Sequence, residues 1–453
     1  MKRDPERRAI IDEAVKRYRE ALEDLLPGEN PTLDQLETAI TEIGHEVFPD
    51  LQEKLINEGN RKARVNKIGC ACGGVTLYRG MCTKTLSTVH GLLRLKRPYY
   101  HCSSCKKGSY PSEAGIGLDA GETSRAVRQH IASLVPNLGF AETKAVLFKL
   151  LNIDVSASTV ERVAVSIGSS LRAAQKEEAK AYHEDRLIDK RTATPKRLYI
   201  GADGVMTPLC EPWRKDGSAG SLNCRYGECK TGVVYETHTD AKGKDHRVHT
   251  RAYTATMEGV ETFERLLGTL AHRCGHHAAK EVVVLGDGAP WIWFMFGRLF
   301  PTAIQILDFY HACDHIKKVT DAIHSKDAAA GREWQKLRQA ELKDDNVKGV
   351  IQAIKSWKPR KHENREIRRI EIGYFTENAE RMRYKTFTTI GYHIGSGVVE
   401  ASCKHVVTQR LDQAGMHWRS KTAEAMVTLR AAHLSTSPTC LEPHLGIATG
   451  CPN

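Results

Sequence analysis

The sequence predicts a mixed α/β protein with several domains, and two observations support this class. Between residues 197 and 310, apolar runs with strand character recur: RLYIGADG, KTGVVYETHTD, RVHTRAYTATM, EVVVLGDG and TAIQILDF. From about 312 to 434, and also over 124–170, helical patterns replace them. With 453 residues the chain exceeds one compact core, so two to four domains are expected.

The N-terminal region predicts two amphipathic helices, over residues 6–26 and 32–57. In the second, apolar residues recur every three or four positions, and Thr32 with Gln35 forms a capping box at its start. Pro49 is expected to kink or split that helix. The pair forms a helical arm that either packs as a small bundle or serves dimerisation.

Charge and cysteine content limit the classes of partner and compartment. The formal net charge of +12 fits a polyanionic partner, with DNA the leading candidate. The charged N-terminus is not a secretory leader, and the apolar run from Trp291 to Phe300 is interrupted by Gly297 and Arg298. We therefore expect no membrane association and a cytoplasmic, nucleoid-associated protein, whose 13 cysteines are thiols or metal ligands.

Two cysteine pairs predict a metal site near the N-terminus. GCACGG supplies Cys70 and Cys72, and YHCSSCKKG supplies Cys102 and Cys105 about thirty residues later. Thiolate pairs on two turns suit tetrahedral Zn²⁺, and four thiolates would make the zinc structural. The alternative is four buried free cysteines.

A helix-turn-helix-like segment is predicted downstream. AETKAVLFKLL forms a short helix, IDVSAS a connection, and Ser158 with Glu161 a capping box for a second helix. This outline is that of a unit that reads DNA, but plain packing of two helices explains it equally well.

Carboxylates at the ends of apolar strands predict a second metal site. Asp203 and Asp287 each lie between glycines or small residues after an apolar run, and Asp308 ends another, with His311 three residues on. Glu400 follows GSGVV at the start of a helix. Carboxylates from different elements suit Mg²⁺, and the glycines would let a DNA backbone come close. A single Asp-Gly of this kind would be a turn.

These blocks resemble an insertion-sequence transposase of the DDE type, closest to the ISKra-type family. IGADG, LGDGAPWIW, LDFYHACDHI and GSGVVEASCKHVVTQRLDQAGMHW look like its catalytic blocks, and CACGG with RPYYHCSSC looks like its zinc-binding segment. The resemblance covers about residues 65–434. It implies an RNase H-like fold with a catalytic, Mg²⁺-binding triad of Asp203, Asp287 and Glu400, and a helical insertion over about 312–390.

The resemblance also implies the roles of further residues. The segment from Asp308 to His311 is similar to the D-x-x-H element of related mutator-like transposases. This similarity implies that Asp308 and His311 are accessory residues of the site. A buried, hydrogen-bonded histidine is the alternative for His311. Four residues after the catalytic helix are expected to contact DNA: Lys404, Arg410, Trp418 and Arg419. Core packing is the alternative for Trp418.

The predicted function is a DNA transposase that binds element ends and carries out hydrolysis and strand transfer. It would use two Mg²⁺ ions, for which Mn²⁺ can substitute, and one structural Zn²⁺. It would act as a homo-oligomer, at least a dimer, on transposon ends and target DNA. The alternatives are an RNase H-like nuclease that only cleaves, and a non-catalytic zinc and helix-turn-helix DNA-binding protein. The predicted organisation is a helical arm (1–60), a zinc-ribbon-like segment (61–120), a helical DNA-binding segment (121–190), the catalytic domain (191–434) and a tail (435–453).

Overall fold

The computed structural model describes residues 4–25, 30–118, 121–186, 195–212, 222–239, 245–325 and 327–436. Most of the predicted tail, residues 437–453, lies outside this part of the chain. The fold is mixed α/β, as predicted, and contains two sheets. Contacts divide it into two compact units, Met1–Ala164 and Val165–Asn453, with the boundary inside one long helix.

The first unit combines helices with a four-stranded antiparallel sheet in the order β1-β2-β3-β4. Its elements, including the helix that crosses into the second unit, are α1 (Pro5–Leu25), α2 (Leu33–Lys62), β1 (Lys67–Gly69), β2 (Val75–Thr88), β3 (Gly91–Cys102), β4 (Gly108–Ser109), α3 (Pro111–Gly115), α4 (Arg125–Leu134), α5 (Phe140–Leu151) and α6 (Ala157–His183).

The two predicted N-terminal helices are present, and the second is longer than expected. Thr32 and Gln35 form the predicted capping box of α2. The helix does not split at Pro49 but continues through it to Lys62. The two helices pack on each other, and side chains of α2 bond to the backbone of β3: Asn57 Oδ1 accepts from Lys96 N–H at 2.7 Å. The predicted arm therefore packs against the sheet.

The helix pair of the predicted DNA-reading segment is present with a different cap. Asn152, with a left-handed φ of 51°, ends α5. Ser156 caps α6, because its Oγ accepts the Thr159 N–H at 3.0 Å. Ser158 lies inside α6 instead of capping it, since the helix begins one residue earlier than the predicted cap, at Ala157.

The second unit is built on a five-stranded sheet in the order β7-β6-β5-β8-β9. Strand β5 pairs antiparallel with β6, and β6 with β7, whereas β8 is parallel to β5 and β9 is parallel to β8. The five strands predicted from apolar runs are all present: β5 (Arg197–Pro212), β6 (Leu222–Thr239), β7 (Asp245–Thr256), β8 (Glu281–Gly286) and β9 (Ile304–Leu307).

Two helices that the sequence analysis did not identify connect these strands. Helix α7 (Val260–Arg273) leads from β7 to β8, and α8 (Pro290–Leu299) leads from β8 to β9. Helix α8 is the crossover that the parallel neighbours β8 and β9 need, because a hairpin turn cannot join parallel strands. Helix α7 leads from β7, at one edge of the sheet, to β8, which pairs with β5. Both helices pack into the core of the sheet, for example through Phe263 and Phe296.

Helices follow β9 to the end of the described chain. Helical structure predicted over 312–390 is present, and among the described residues no helix is both long and apolar enough to span a membrane. The helices are α9 (Phe309–Ile323), α10 (Ala328–Lys343), α11 (Val347–Ser356), α12 (His362–Glu377), α13 (Tyr384–Ile390), α14 (Gly397–Ser402), α15 (Gln409–Leu411) and α16 (Ser420–Leu434), with a 3₁₀ turn at Ala379–Met382 and a π-helical turn at Cys403–Thr408.

Candidate active site and cysteine cluster

Strand register places three aspartates in one row across the sheet. The last pair between β5 and β8 is Gly201 with Leu285, and Asp203 and Asp287 each lie two residues further on. The last pair between β8 and β9 is Gly286 with Leu307, so Asp287 and Asp308 each follow by one residue. Adjacent strands are about 4.8 Å apart, so the row brings the three residues together.

The setting of Asp203 differs from the predicted strand end. Strand β5 does not stop there but continues to Pro212, paired with β6 throughout. Only its pairing with β8 ends before Asp203. Asp287 and Asp308 do follow the last residues of their strands.

The Asp203 carboxylate is partly buried and has two hydrogen-bond donors. Gly204 N–H donates to Oδ1 at 2.7 Å, and the Cys403 thiol donates to Oδ2 at 3.3 Å. Burial raises the pKa of Asp203, and the negative charge of Asp287 raises it further, against the lowering effect of Gly204 N–H. The charged form of Asp203 is therefore destabilised in the absence of a cation.

Asp287 is held by its own turn and by the helical region. Its Oδ1 accepts the Ala289 N–H at 2.9 Å, and its backbone carbonyl accepts the Tyr374 hydroxyl at 3.1 Å. Gly288 has a φ of +105°, and a Cβ there would lie 2.7 Å from the Tyr374 ring. Glycine is thus required after Asp287 by both conformation and packing.

Packing within the chain also explains other glycines of these motifs. A Cβ on Gly286 would lie 2.8 Å from Ile292 Cγ2, and one on Gly204 would overlap the Glu228 carboxylate. These contacts give the glycines a packing role inside the chain, and the expectation that they admit a DNA backbone stays a prediction.

Asp308 fastens two segments of the site together. It is fully buried and caps α9, where Oδ1 accepts the His311 N–H at 2.6 Å. Its Oδ2 accepts the N–H of Ser396, in the loop before α14. Burial raises the pKa of Asp308, but the hydrogen bonds from His311 and Ser396 outweigh burial, so the net pKa is lowered and the carboxylate is charged.

His311 and Glu400 lie beside Asp308. His311 Nδ1 is 3.5 Å from Asp308 Oδ1, and this interaction, with the charges of the neighbouring aspartates, raises the pKa of His311 against the effect of burial. Exposed Glu400 accepts the Ser396 hydroxyl at 3.1 Å. Asp308, His311 and Glu400 each contribute one ligand atom to a group whose atoms lie within 4.8 Å of one another, close enough to hold a cation. Asp203 and Asp287 are not members of that group.

Three residues of the site were not identified from the sequence as contributors. Ser396 lies four residues before Glu400 and bonds to it, a spacing that does not match the capping-box pattern. Cys403 lies one helical turn after Glu400 and contacts Asp203. Tyr374 contacts Asp287 from 87 residues away, and no local pattern signals that contact.

The four residues predicted to contact DNA fall into two pairs. Lys404 and Arg419 are exposed. Arg410 and Trp418 are buried, and the guanidinium of Arg410 lies 5.0 Å from the centre of the indole ring. Trp418 Nε1 donates to the Leu411 carbonyl at 2.8 Å. Core packing, the alternative for Trp418, is therefore what the structure shows, and the expected DNA contact of the buried pair is corrected.

The four predicted zinc ligands come together in the first unit. Cys70 Sγ is 3.6 Å from Cys105 Sγ, and Cys72 Sγ is 3.7 Å from Cys102 Sγ. All four sulfur atoms lie within 4.8 Å of one another, between the β1–β2 turn and the β3–β4 turn.

Backbone turns support these thiols. The backbone N–H of Cys105, with that of Ser104, lowers the pKa of Cys102 to about 6, which favours the thiolate that a metal binds. Against the lowering effect of the Cys72 N–H, the neighbouring thiols of Cys72 and Cys105 raise the pKa of Cys70 to about 11, so without a metal the cluster shares its protons unevenly. Lys106, with a φ of 59°, donates its N–H to the Cys102 carbonyl at 3.0 Å and closes the turn. Four sulfur donors on tight turns fit a zinc ion and leave no position for a substrate.

Comparisons with known proteins identify a family. Residues 30–438 match UPF0236, described as an uncharacterised protein family. No curated protein sequence matches the chain. Among solved structures, the Drosophila P element transposase strand transfer complex is similar at 11% identity and a TM-score of 0.25, over 72% of this chain and 81% of that one. A TM-score this low does not establish a common fold.

Proposed function

The chain belongs to the UPF0236 family, and we propose that it is a DDE-type DNA transposase that cuts DNA at element ends and joins them to target DNA. One observation carries the proposal. Asp203, Asp287 and Asp308 form a row across three adjacent strands, and Glu400 reaches the same region from α14. Acidic side chains in such a row favour the binding of a divalent metal. A bound metal is what phosphodiester cleavage needs when no protein side chain acts as the nucleophile.

The sheet supports an RNase H-like core, the fold that the sequence resemblance implies. Counted within the second unit, its strands lie in the order third, second, first, fourth, fifth. The first three are antiparallel, and the last two run parallel to the first. The proposed acids Asp203 and Asp287 lie on or after the first and fourth strands, next to each other in the sheet.

Asp203, Asp287 and Glu400 are the proposed Mg²⁺ ligands. They offer only oxygen donors, which a hard cation prefers, and a cation would offset the burial and the repulsion from Asp287 that raise the pKa of Asp203. When bound, two Mg²⁺ ions would activate a water or a 3′ hydroxyl and stabilise the leaving oxygen, with Mn²⁺ able to substitute. No nucleophilic Ser or Tyr is required for this chemistry.

Other residues of the site position the ligands and the substrate. Asp308 holds the Ser396 loop and thereby sets the start of the helix that carries Glu400. The hydrogen bond to Asp308 raises the pKa of His311, which favours the protonated form, and that form would hold a scissile phosphate beside the carboxylates. Exposed Lys404 and Arg419 follow the Glu400 helix and would contact the DNA backbone.

The cysteine cluster is proposed as a structural zinc site in a DNA-binding segment. Cys70, Cys72, Cys102 and Cys105 would hold one Zn²⁺ that fastens two turns of the first sheet. The net charge of +12 suits binding to transposon ends and target DNA. We further propose that at least two copies act together on DNA, since a transposition event joins two ends.

A single assay distinguishes the proposal from its alternatives. The full chain is incubated with Mg²⁺, a labelled duplex that carries the element end, and a target plasmid. Joined products support transposition. Cleavage without joining supports a nuclease, and binding without cleavage in either Mg²⁺ or Mn²⁺ supports a non-catalytic DNA-binding protein.

A further inference from the structure

Three histidines cluster at the C-terminal end of α7, away from the carboxylate row. His272 lies in the last turn of the helix, and His276 and His277 follow Gly275. One ring nitrogen from each histidine lies within 4.8 Å of the others. The rings of His272 and His277 are stacked with centroids 4.9 Å apart, and the His276 ring stands edge-on to His277 at 5.7 Å.

The backbone turn that forms the cluster is well defined. Gly275 has a φ of +79°, and its N–H donates to the His272 carbonyl at 2.8 Å. The His276 N–H then reaches back to the Ala271 carbonyl at 3.0 Å. This left-handed ending folds the two later histidines onto the last helical turn. The donor atoms are therefore gathered before any ligand is present.

The surroundings of His276 suggest that a partner belongs there. Its ring packs edge-on against Phe300, 5.3 Å away, in the segment that leads to β9. Its Nδ1 is buried and makes no hydrogen bond of good geometry among the described residues, although the Ala271 carbonyl lies near the ring. Burial of a ring nitrogen without a partner costs free energy, which a ligand bound to this cluster would offset.

We propose that His272, His276 and His277 bind one divalent transition-metal ion of the zinc class. Imidazole nitrogens prefer such ions to Mg²⁺, and three of them with one water complete a tetrahedral site. The negative end of the α7 dipole also favours a cation at this place. Packing of three neutral rings at a helix end is the competing explanation, and it predicts no specific metal binding.

This metal site is separate from the proposed catalytic site. The histidines precede β8, whereas Asp287 follows it, and six residues of strand span roughly 20 Å. A bound ion would fasten the last turn of α7 to the turn that follows it. The site does not depend on the proposed transposase function.

Zinc content per chain tests the proposal. The full-length reduced protein is equilibrated with micromolar Zn²⁺ and millimolar Mg²⁺, so that Mg²⁺ competes at the carboxylates, and bound zinc is measured. His277→Ala, which removes an exposed ring, should bind one zinc equivalent less than the wild type. His276→Gln should show the same loss, whereas His362→Ala, at an exposed histidine of α12, should bind as much as the wild type.

Metal-dependent stability provides a second readout that needs no DNA. Zn²⁺ should raise the melting temperature of wild type and His362→Ala more than that of His277→Ala. Equal zinc content in wild type, His277→Ala and His276→Gln would overturn the proposal. Loss of the zinc bound by the cysteines would instead lower the zinc content of the wild type and of all variants equally. The two zinc sites are therefore distinguishable.

Discussion

Asp203 on β5 and Asp287 just after the parallel strand β8 stand side by side, each two residues beyond the pair formed by Gly201 and Leu285. Their proximity has an electrostatic consequence: burial, together with the charge of Asp287, raises the pKa of Asp203. The sheet therefore holds two carboxylates where, without a cation, each destabilises the other.

Asp203→Asn is expected to raise the melting temperature of the metal-free protein at neutral pH. The Asp203 pKa is raised on folding, so the folded state binds the proton more tightly and the charged carboxylate lowers stability above that pKa. As the pH falls through the raised pKa, the wild type should gain stability relative to the variant. Melting curves in EDTA between neutral pH and about pH 4 measure the difference.

Excess Mg²⁺ serves as the control for this comparison, because a bound cation should stabilise the wild type more than Asp203→Asn. A variant that melts below the wild type at neutral pH in EDTA would show that the carboxylate is satisfied by the protein alone.

Asp308→Ala should lower stability and disorganise the site. The change leaves the buried N–H groups of His311 and Ser396 without their acceptor, at a cost of about 1–3 kcal/mol in the free energy of unfolding. Urea denaturation measures the loss. Asp308→Asn should cost less, because its amide oxygen can still accept one bond. Equal stability of Asp308→Ala and wild type would contradict the role of Asp308 in joining α9 to the Ser396 loop.

Cys72→Ser should remove the zinc proposed for the cysteine cluster and destabilise the first unit. Cys82→Ser is the matched control, since Cys82 lies on β2 outside the cluster. Metal analysis of the freshly purified, reduced protein should show one zinc equivalent less for Cys72→Ser only. Identical zinc content in the two variants would exclude the cluster as a zinc site.

Lys404→Ala and Trp418→Ala should separate a DNA contact from a core contact. Loss of exposed Lys404 should weaken DNA binding and reduce the slope of log affinity against log salt by about 1. Loss of buried Trp418 should cost about 3–5 kcal/mol of folding stability. Salt titrations and urea denaturation measure the two effects, and an unchanged salt slope for Lys404→Ala would contradict its phosphate contact.

Much of the fold was predictable because apolar periodicity is local. The five strands of the large sheet, the N-terminal helices and the helices after residue 312 follow from the pattern of their own residues. Helices α7 and α8 were missed, since they are embedded in a region dominated by strands. Helix α2 continues through Pro49, whose ring lies close to Gly91 of β3, and no single-sequence pattern contains that contact.

The candidate site was predictable where residues share a motif and not where they meet across the sheet. Asp203 and Asp287 were identified by flanking glycines, although those glycines serve packing inside the chain. The hydrogen bonds from Tyr374 to Asp287 and from Ser396 to Asp308 join segments 87 and 88 residues apart. Arg410 and Trp418 are residue types that often contact DNA, so the sequence alone suggests that role. Their burial depends on tertiary structure, which the sequence pattern does not reveal.

Cleavage of element-end DNA by Asp287→Asn in Mg²⁺ tests the central claim most directly. Asparagine keeps the size of the side chain and the oxygen that accepts the Ala289 N–H, so folding and DNA binding should remain near those of the wild type. Loss of the charge should reduce cleavage and strand transfer by at least about 10³-fold, and combination with Glu400→Gln should reduce them no further. Wild-type rates of cleavage by Asp287→Asn would contradict the metal site and the transposase function proposed from it.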